Sequence, residues 1–195
     1  MRTGSHTQQE ILEIAESLLR SRGFNSFSYK DISSVMDVKN AAIHHYFPTK
    51  TGLSVQIVKQ ETGKIKRLRQ TGIEGLKGLV TTFYHAAMKS QICLTGSLTP
   101  DYTQLPEEMQ AAVKEMCLVT LKWVAGCLET ARSKRDMYFQ GSADDRALLF
   151  LSTLLSSLLL SRVLGGHVFE GMINQLLKDL GASWSTGDLP ELPIP

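Results

Sequence analysis

The sequence lacks an apolar run long enough to span a membrane. The longest, Ala147 to Leu160, falls short and carries three Ser and a Thr. The opening MRTGSHTQQ is too polar for a secretory leader. Cysteine is scarce: Cys93, Cys117 and Cys127 are odd in number and show no CxxC spacing, which argues against a disulfide framework or a zinc site and suits reduced thiols. GxSxG, HExxH and phosphate-loop patterns are missing, and the acid pairs Glu107-Glu108 and Asp144-Asp145 fall where helix starts account for them. No catalytic constellation, metal site or cofactor is therefore expected. Nor is the chain poor enough in apolar residues to be disordered: at 43% hydrophobic and 195 residues it can bury the core of one or two domains. These absences leave a cytoplasmic, non-enzymatic globular protein as the expectation.

What is present is unevenly distributed. Residues 1–70 hold 11 Lys+Arg against 6 Asp+Glu, and residues 71–195 hold 10 against 13, so the net charge of +2 conceals a basic head on a mildly acidic body. That is the electrostatic footprint of a nucleic-acid-binding domain attached to one with another task. Within the head, SYKDISSVMDVKNAAIHHYFPTK (Ser28 to Lys50) reads as two short helices about a tight turn. Ser28 and Asp31 form a capping-box pair, and Ile32, Val35 and Met36 make the inner face of the first helix. Asp37 and Val38 fill the turn, with Val38 placed to close over Ile43. The second helix runs from about Lys39 to Tyr46 and stops because Pro48 disfavours helix at Phe47. It is too short to be stable alone and fits the major groove of DNA.

The wider run TQQEILEIAESLLRSRGFNSFSYKDISSVMDVKNAAIHHYFPTK (Thr7 to Lys50) resembles the N-terminal DNA-binding domain of TetR-type transcriptional repressors, through ILEIAESLLRSRGF, DIS and AIHHYFPTK. The resemblance implies an all-α fold: an N-terminal three-helix helix-turn-helix domain (1–50), a linking helix (about 50–72), and a C-terminal ligand-binding and dimerisation domain (73–195). Three residues depart from the family's habit. Asp37 stands where Gly is usual, Lys39 replaces a small hydroxyl residue, and His44 replaces a Tyr. Chemistry assigns roles to the exposed positions. Asn40 suits an adenine edge and Lys39 a guanine edge or a phosphate. His44 and His45 suit phosphate or sugar rather than a metal, since adjacent helical residues diverge by about 100°. Tyr46 suits the DNA backbone, and Ser28, Tyr29 and Lys30 a flanking phosphate at their helix end. Lys50 is a phosphate contact by resemblance.

Helices are expected over Thr7–Arg22, closed by Gly23; from Thr49 or Lys50 to about Gly72, with Leu53, Ile57, Ile65 and Leu68 inward; and over Leu76–Ile92. Between them Gly72, Gly75 and Gly78 loosen the chain. After the Gly- and Pro-broken stretch CLTGSLTPDYTQLPEEM, helices follow from Pro106 to Ser133, from Ser142 or Asp144 to Gly165, and from His167 to Leu180. The last two, about 143–180, are apolar on more than one side and require more than one partner. In the family they build a four-helix bundle across a two-fold axis, and a homodimer is expected here. Phe83, Tyr84, Met88, Tyr102, Met116, Trp123 and the Cys residues are candidate lining for a small-molecule inducer, with ordinary core as the alternative. Cys93 is the sharpest of these, because CLTGSLTPDYTQLPEEMQ resembles a TetR branch in which a Cys here senses oxidants or electrophiles. Lys89, one helical turn earlier, would share its face. The tail GDLPELPIP is expected to be extended or mobile. The expected function is a repressor released from a palindromic operator by a small-molecule or oxidant signal. The competing reading is a helical ligand- or redox-sensing protein whose head has lost specific DNA binding.

Overall fold

The computed structural model describes residues 4–89 and 91–189. Its described residues form an all-α chain with no strands: α1 (Gly4–Arg22), α2 (Tyr29–Met36), α3 (Asn40–Tyr46), α4 (Lys50–Lys66), α5 (Gly72–Met88), α6 (Leu94–Leu98), α7 (Glu107–Ser133), α8 (Ala143–Leu164) and α9 (His167–Asp179), with short 3-10 turns at Tyr102–Gln104 and Thr186–Asp188. The described residues condense into two compact units, one within 1–64 and 94–117, the other within 65–93 and 118–195.

The first unit is built on α1. Its apolar residues recur every three to four positions, and Ile11, Leu12, Ala15 and Leu19 are buried. Gly23 ends the helix in the left-handed region (φ 77°), its N–H returning to the Leu19 carbonyl at 3.0 Å. Phe24 and Phe27 fill the corner, and α2 packs on α1 and α3 on α2. The inner face of α2 is Ile32 and Met36. Val35, expected inside, is 68% exposed, because positions 32 and 36 define the inward stripe and 35 falls to its flank. The small α6, within a stretch read from sequence as broken loop, lays Leu94 and Leu98 against α1. α4 stops at Lys66 rather than near Gly72, and Leu68 is exposed beyond it.

In the second unit α5, α7, α8 and α9 share a core that includes Leu76, Val80, Phe83, Val124, Leu128, Phe150, Leu154, Phe169 and Ile173. α5 starts at Gly72 and ends at Met88, earlier at both ends than the apolar pattern suggests. Gly75 does not loosen the chain. It lies inside α5, where a Cβ would come within 2.7 Å of Cys127 Sγ, 3.0 Å of the Gln70 carbonyl and 3.2 Å of the Trp123 ring, so α5 and α7 approach closely there. Ser142 caps α8, its Oγ accepting from the Asp145 N–H at 3.0 Å.

By length and composition α8 could cross a membrane, which the interrupted run Ala147–Leu160 did not suggest. It is two-faced instead. Ala147, Phe150, Leu154, Ser157 and Leu158 are buried at helical spacing, whereas Leu148, Leu149, Ser152, Ser156, Leu159, Leu160 and Val163 are exposed. The loop after α7 is packed: Met137 is buried, and Phe139 lies under the Arg132 guanidinium at 4.7 Å. Trp184 and Leu189 are buried as well, so the tail is held as far as Leu189; its remainder, 190–195, lies outside the described residues.

Gly75 sets a clear test. An Ala in an exposed helix interior gains roughly 0.5–1 kcal/mol over Gly. At Gly126 of α7 a Cβ meets nothing within 4 Å, so Gly126→Ala is expected to raise the melting temperature by a few degrees. Gly75→Ala is expected to lower it, by the roughly 1–3 kcal/mol typical of overpacking. Thermal melts of the two variants side by side check the opposite signs.

Candidate nucleic-acid interface

The turn between α2 and α3 sets the geometry of the interface. At the start of α2, Asp31 reaches back and its carboxylate accepts from both the N–H and the Oγ of Ser28 at 2.7 Å, completing the capping box. Arg22 pairs with the same carboxylate at 3.1 Å. These hydrogen bonds, from the Ser28 side chain foremost, hold the Asp31 carboxyl below its ordinary pKa of 3.8. At the other end of α2, Asp37 adopts the left-handed conformation (φ 53°, ψ 50°), the backbone for which Gly is the usual choice. The N–H of Val38 returns to the Ser33 carbonyl at 3.0 Å. α3 then spans seven residues, roughly 10 Å. Its buried anchor is Ile43, and Phe47 closes it, donating to the Ile43 carbonyl at 2.9 Å.

Each expected DNA contact has a definite place. Lys30, Lys39, His44 and His45 are exposed, and Tyr46 is half-buried with its ring 5.2 Å from that of His45. Ser28 is exposed but engaged with Asp31. Tyr29 does not point out. It is buried, its hydroxyl donates to the Phe47 carbonyl at 2.7 Å, its ring meets His44 edge-on at 4.6 Å, and burial raises its pKa. It ties the first turn of α2 to the end of α3. The Lys50 amino group is also turned inward. It donates to the Phe27 carbonyl at 2.8 Å over the rings of Phe24 (4.5 Å) and Phe27 (4.8 Å), and desolvation lowers its pKa. Asn40 is exposed, yet its Oδ1 accepts from Ser33 Oγ at 2.5 Å. Ser33, which no sequence motif singles out, is buried beneath it. No signal local to α2 or α3 links the two residues, because they meet only when the helices pack.

The candidate inducer residues divide between the units. In the second, Phe83 is buried and Tyr84 half-buried, with its hydroxyl 3.5 Å from Glu170 Oε1 and its ring 6.0 Å from Phe169. Met88 is exposed at the end of α5. Trp123 is half-buried and its indole Nε1 is buried without a hydrogen-bond partner, which makes it the strongest polar anchor of the set. Cys93 packs against the same core. It stands just before α6 and beyond the end of α5, so it does not share a helical face with Lys89. Tyr102, whose hydroxyl donates to the Gln110 carbonyl at 3.2 Å, and the buried Met116 belong to the first unit. Burial raises the pKa of the Cys117 thiol, and takes that of Cys127 to about 11, so both are protonated and unreactive at neutral pH. Among the described residues no group of three or more His, Cys, Asp or Glu could hold a metal ion.

Comparison with known proteins agrees with this geometry. Residues 11–57 match the family described as bacterial regulatory proteins, tetR family. Over 185 residues, 89% of this chain and 92% of the relative, the sequence is 20% identical to the HTH-type transcriptional repressor NemR of Escherichia coli K12. The solved reduced form of E. coli NemR superposes with a TM-score of 0.73 at 19% identity, covering 89% of this chain and 97% of that one. A TetR-family regulator from Agrobacterium tumefaciens superposes with a TM-score of 0.81 at 25% identity, covering 90% and 98% of the two chains. A TetR regulator from Legionella pneumophila gives 0.76 at 27%, covering 92% and 100%.

The capping carboxylate yields a pH test. A carboxyl with a depressed folded-state pKa contributes stability that is present above its unfolded pKa and lost as pH falls through the folded value. Wild type is expected to melt higher than Asp31→Asn by a constant margin above about pH 5, and the margin is expected to shrink as the pH falls through 3.8 and to close below the depressed folded-state value. Melting curves of both proteins across this range check it; a margin independent of pH would refute the role of the charge.

Proposed function

Because this chain belongs to the TetR family of bacterial transcriptional regulators, we propose that it is a homodimeric repressor that binds a palindromic operator and leaves it when a small molecule or an electrophile acts on its C-terminal part. The observation that carries the reading is α3. It is a helix held at one face by Ile43 that presents Lys39, Asn40, His44 and His45 to the outside within a basic head. Phosphate contacts supply most of the affinity of such a head and base edges its selectivity. The functional division is a DNA-binding domain over 1–50, a linking segment over about 50–72 whose helical part is α4 (Lys50–Lys66), and a ligand-binding and dimerisation domain over 73–195. A cytoplasmic location follows from this role.

The inducer candidates kept by this reading are Phe83, Tyr84, Met88, Cys93 and Trp123. The unpartnered Trp123 indole favours a ligand with one hydrogen-bond acceptor on an apolar body. Cys93 is the position for an electrophile or oxidant. Coupling is a population shift: the signal must favour the dimer conformation whose heads no longer match successive major grooves. The exposed stripe of α8, with Ser152 and Ser156 among leucines, supports a second copy of the chain as the missing partner of the last two helices, 143–180.

Two outcomes are expected. In fluorescence-anisotropy titrations, affinity for duplex DNA falls steeply with added salt, and Lys39→Ala lowers the log–log slope by about one for each head, reporting one lost phosphate contact. An affinity insensitive to salt would sink the DNA reading and leave the sensor without DNA binding. In sedimentation, the pair Leu159→Glu and Val163→Glu converts a dimer into a folded monomer and weakens duplex binding at least tenfold, since a lone head loses its second half-site. A dimer that survives both substitutions would place the interface elsewhere.

A further inference from the structure

Asn40 is the one exposed amide of the Ser28–Lys50 segment, and on the reading of α3 as the base-reading helix it is the residue best suited to discriminate among bases. A free asparagine amide recognises adenine with both its halves, Nδ2 donating to N7 and Oδ1 accepting from N6. Here the oxygen half is turned back into the head. Ser33 Oγ, on the neighbouring helix α2 and 6% exposed, lies 2.5 Å from Asn40 Oδ1 and 3.1 Å from the Lys30 carbonyl. A serine hydroxyl carries one hydrogen and cannot serve two acceptors at once. With that hydrogen on Asn40, Oδ1 is held and Nδ2 faces outward. With it on Lys30, the amide must turn over so that Nδ2 donates to Ser33 Oγ. In both arrangements one half of the amide is committed to α2 and one half faces the groove.

We propose that Ser33 sets the specificity of the head by making Asn40 a one-handed reader. The second lone pair on Oδ1 does not restore the adenine contact, because that contact requires Oδ1 and Nδ2 to face the same base edge, and Oδ1 faces α2. The outward Nδ2 offers donors only, and N7 of adenine, N7 and O6 of guanine and O4 of thymine all accept them. The wild-type head therefore separates adenine from guanine poorly at the base pair that Asn40 meets. Ser33 touches no base itself. It is a positioning residue, and removing its hydroxyl is predicted to add selectivity.

The experiment compares wild type, Ser33→Ala, Asn40→Ala and the double variant. Each is bound to a library of duplexes randomised over about two helical turns, and the retained fraction is sequenced. The expected result is that Ser33→Ala gains about a tenfold preference for adenine over guanine at one position of each half-site, the size of a restored bidentate contact. That gain is expected to vanish in the double variant. A wild type that already prefers adenine to this extent through Asn40, or a Ser33→Ala profile identical to wild type, would overturn the proposal. A second readout needs no DNA: in thermal melts the shifts of the two single variants are expected to be non-additive, because the two side chains share one hydrogen bond. If wild type retains no duplex, the DNA reading fails, and the melts still decide the clamp, with additive shifts overturning it.

Discussion

Seven residues cannot hold a helix in water, and the head of this protein is arranged around that fact. α3 lacks a side-chain cap at its N-terminus and gains its order from neighbours. Full burial of Ile43 contributes roughly 1.5–3 kcal/mol, and the hydrogen bond from Tyr29 to the Phe47 carbonyl about 1 kcal/mol net. The left-handed turn at Asp37 fixes the angle at which the chain enters the helix, and Lys50 binds the chain just after α3 to the corner formed by Phe24 and Phe27. The cost is that side chains which hold α3 are withdrawn from the surface it presents. Tyr29 and Lys50 have the chemistry of phosphate ligands, and both spend it inside.

A different constraint governs the second unit. α8 is nearly as apolar as a membrane span, yet a single helix can bury only one stripe against its own chain. Phe150, Leu154 and Leu158 take that stripe, with Phe169 and Ile173 of α9 in the same core. The other side keeps Leu148, Leu159, Leu160 and Val163 in solvent, interleaved with the small Ser152 and Ser156 that permit close approach of another helix. A row of exposed leucines is unfavourable in a monomer and useful in a dimer. The close contact of α5 with α7 at Gly75 shows the same unit packed tightly where its own chain does supply the partner.

The features legible from sequence were those decided within one helical turn. The capping pair Ser28–Asp31, the terminator Gly23 and the start of α7 after Pro106 follow from local hydrogen bonding and stand in the structure where they are expected, and of the two cap candidates for α8, Ser142 and Asp144, Ser142 takes the position. Features that depend on a facing helix were not legible. Whether Val35 or Met36 turns inward depends on where α1 and α3 lie. Gly75 reads as a hinge until α7 is known to press on it. α6 is five residues whose burial on α1 overrides a stretch rich in loop formers. The interface suffered most from this limit: of nine expected contacts, the exposed ones such as Lys39 and His44 could be placed from spacing. The inward turn of Tyr29 and Lys50, and the hold of Ser33 on Asn40, exist only in three dimensions.

That hold bears on how such a head can be regulated. A bidentate amide contact discriminates between bases by about 1–3 kcal/mol, and a dimer makes the contact twice. In a homodimer that reads DNA through α3, as proposed, the commitment of one half of each Asn40 amide to Ser33 would withhold much of that discrimination from both heads. In such a homodimer selectivity would rest more on whether two heads reach two half-sites one helical turn apart, a property of the dimer rather than of α3. Affinity supplied by phosphate contacts is as strong on a wrong sequence as on a right one, so in that dimer spacing would have to carry the difference. A regulator built this way would give up base reading and gain sensitivity to geometry, because a small change in the separation of the heads would remove most of what distinguished the operator. In that arrangement a signal received in the body needs to move the heads only slightly to be read at the DNA.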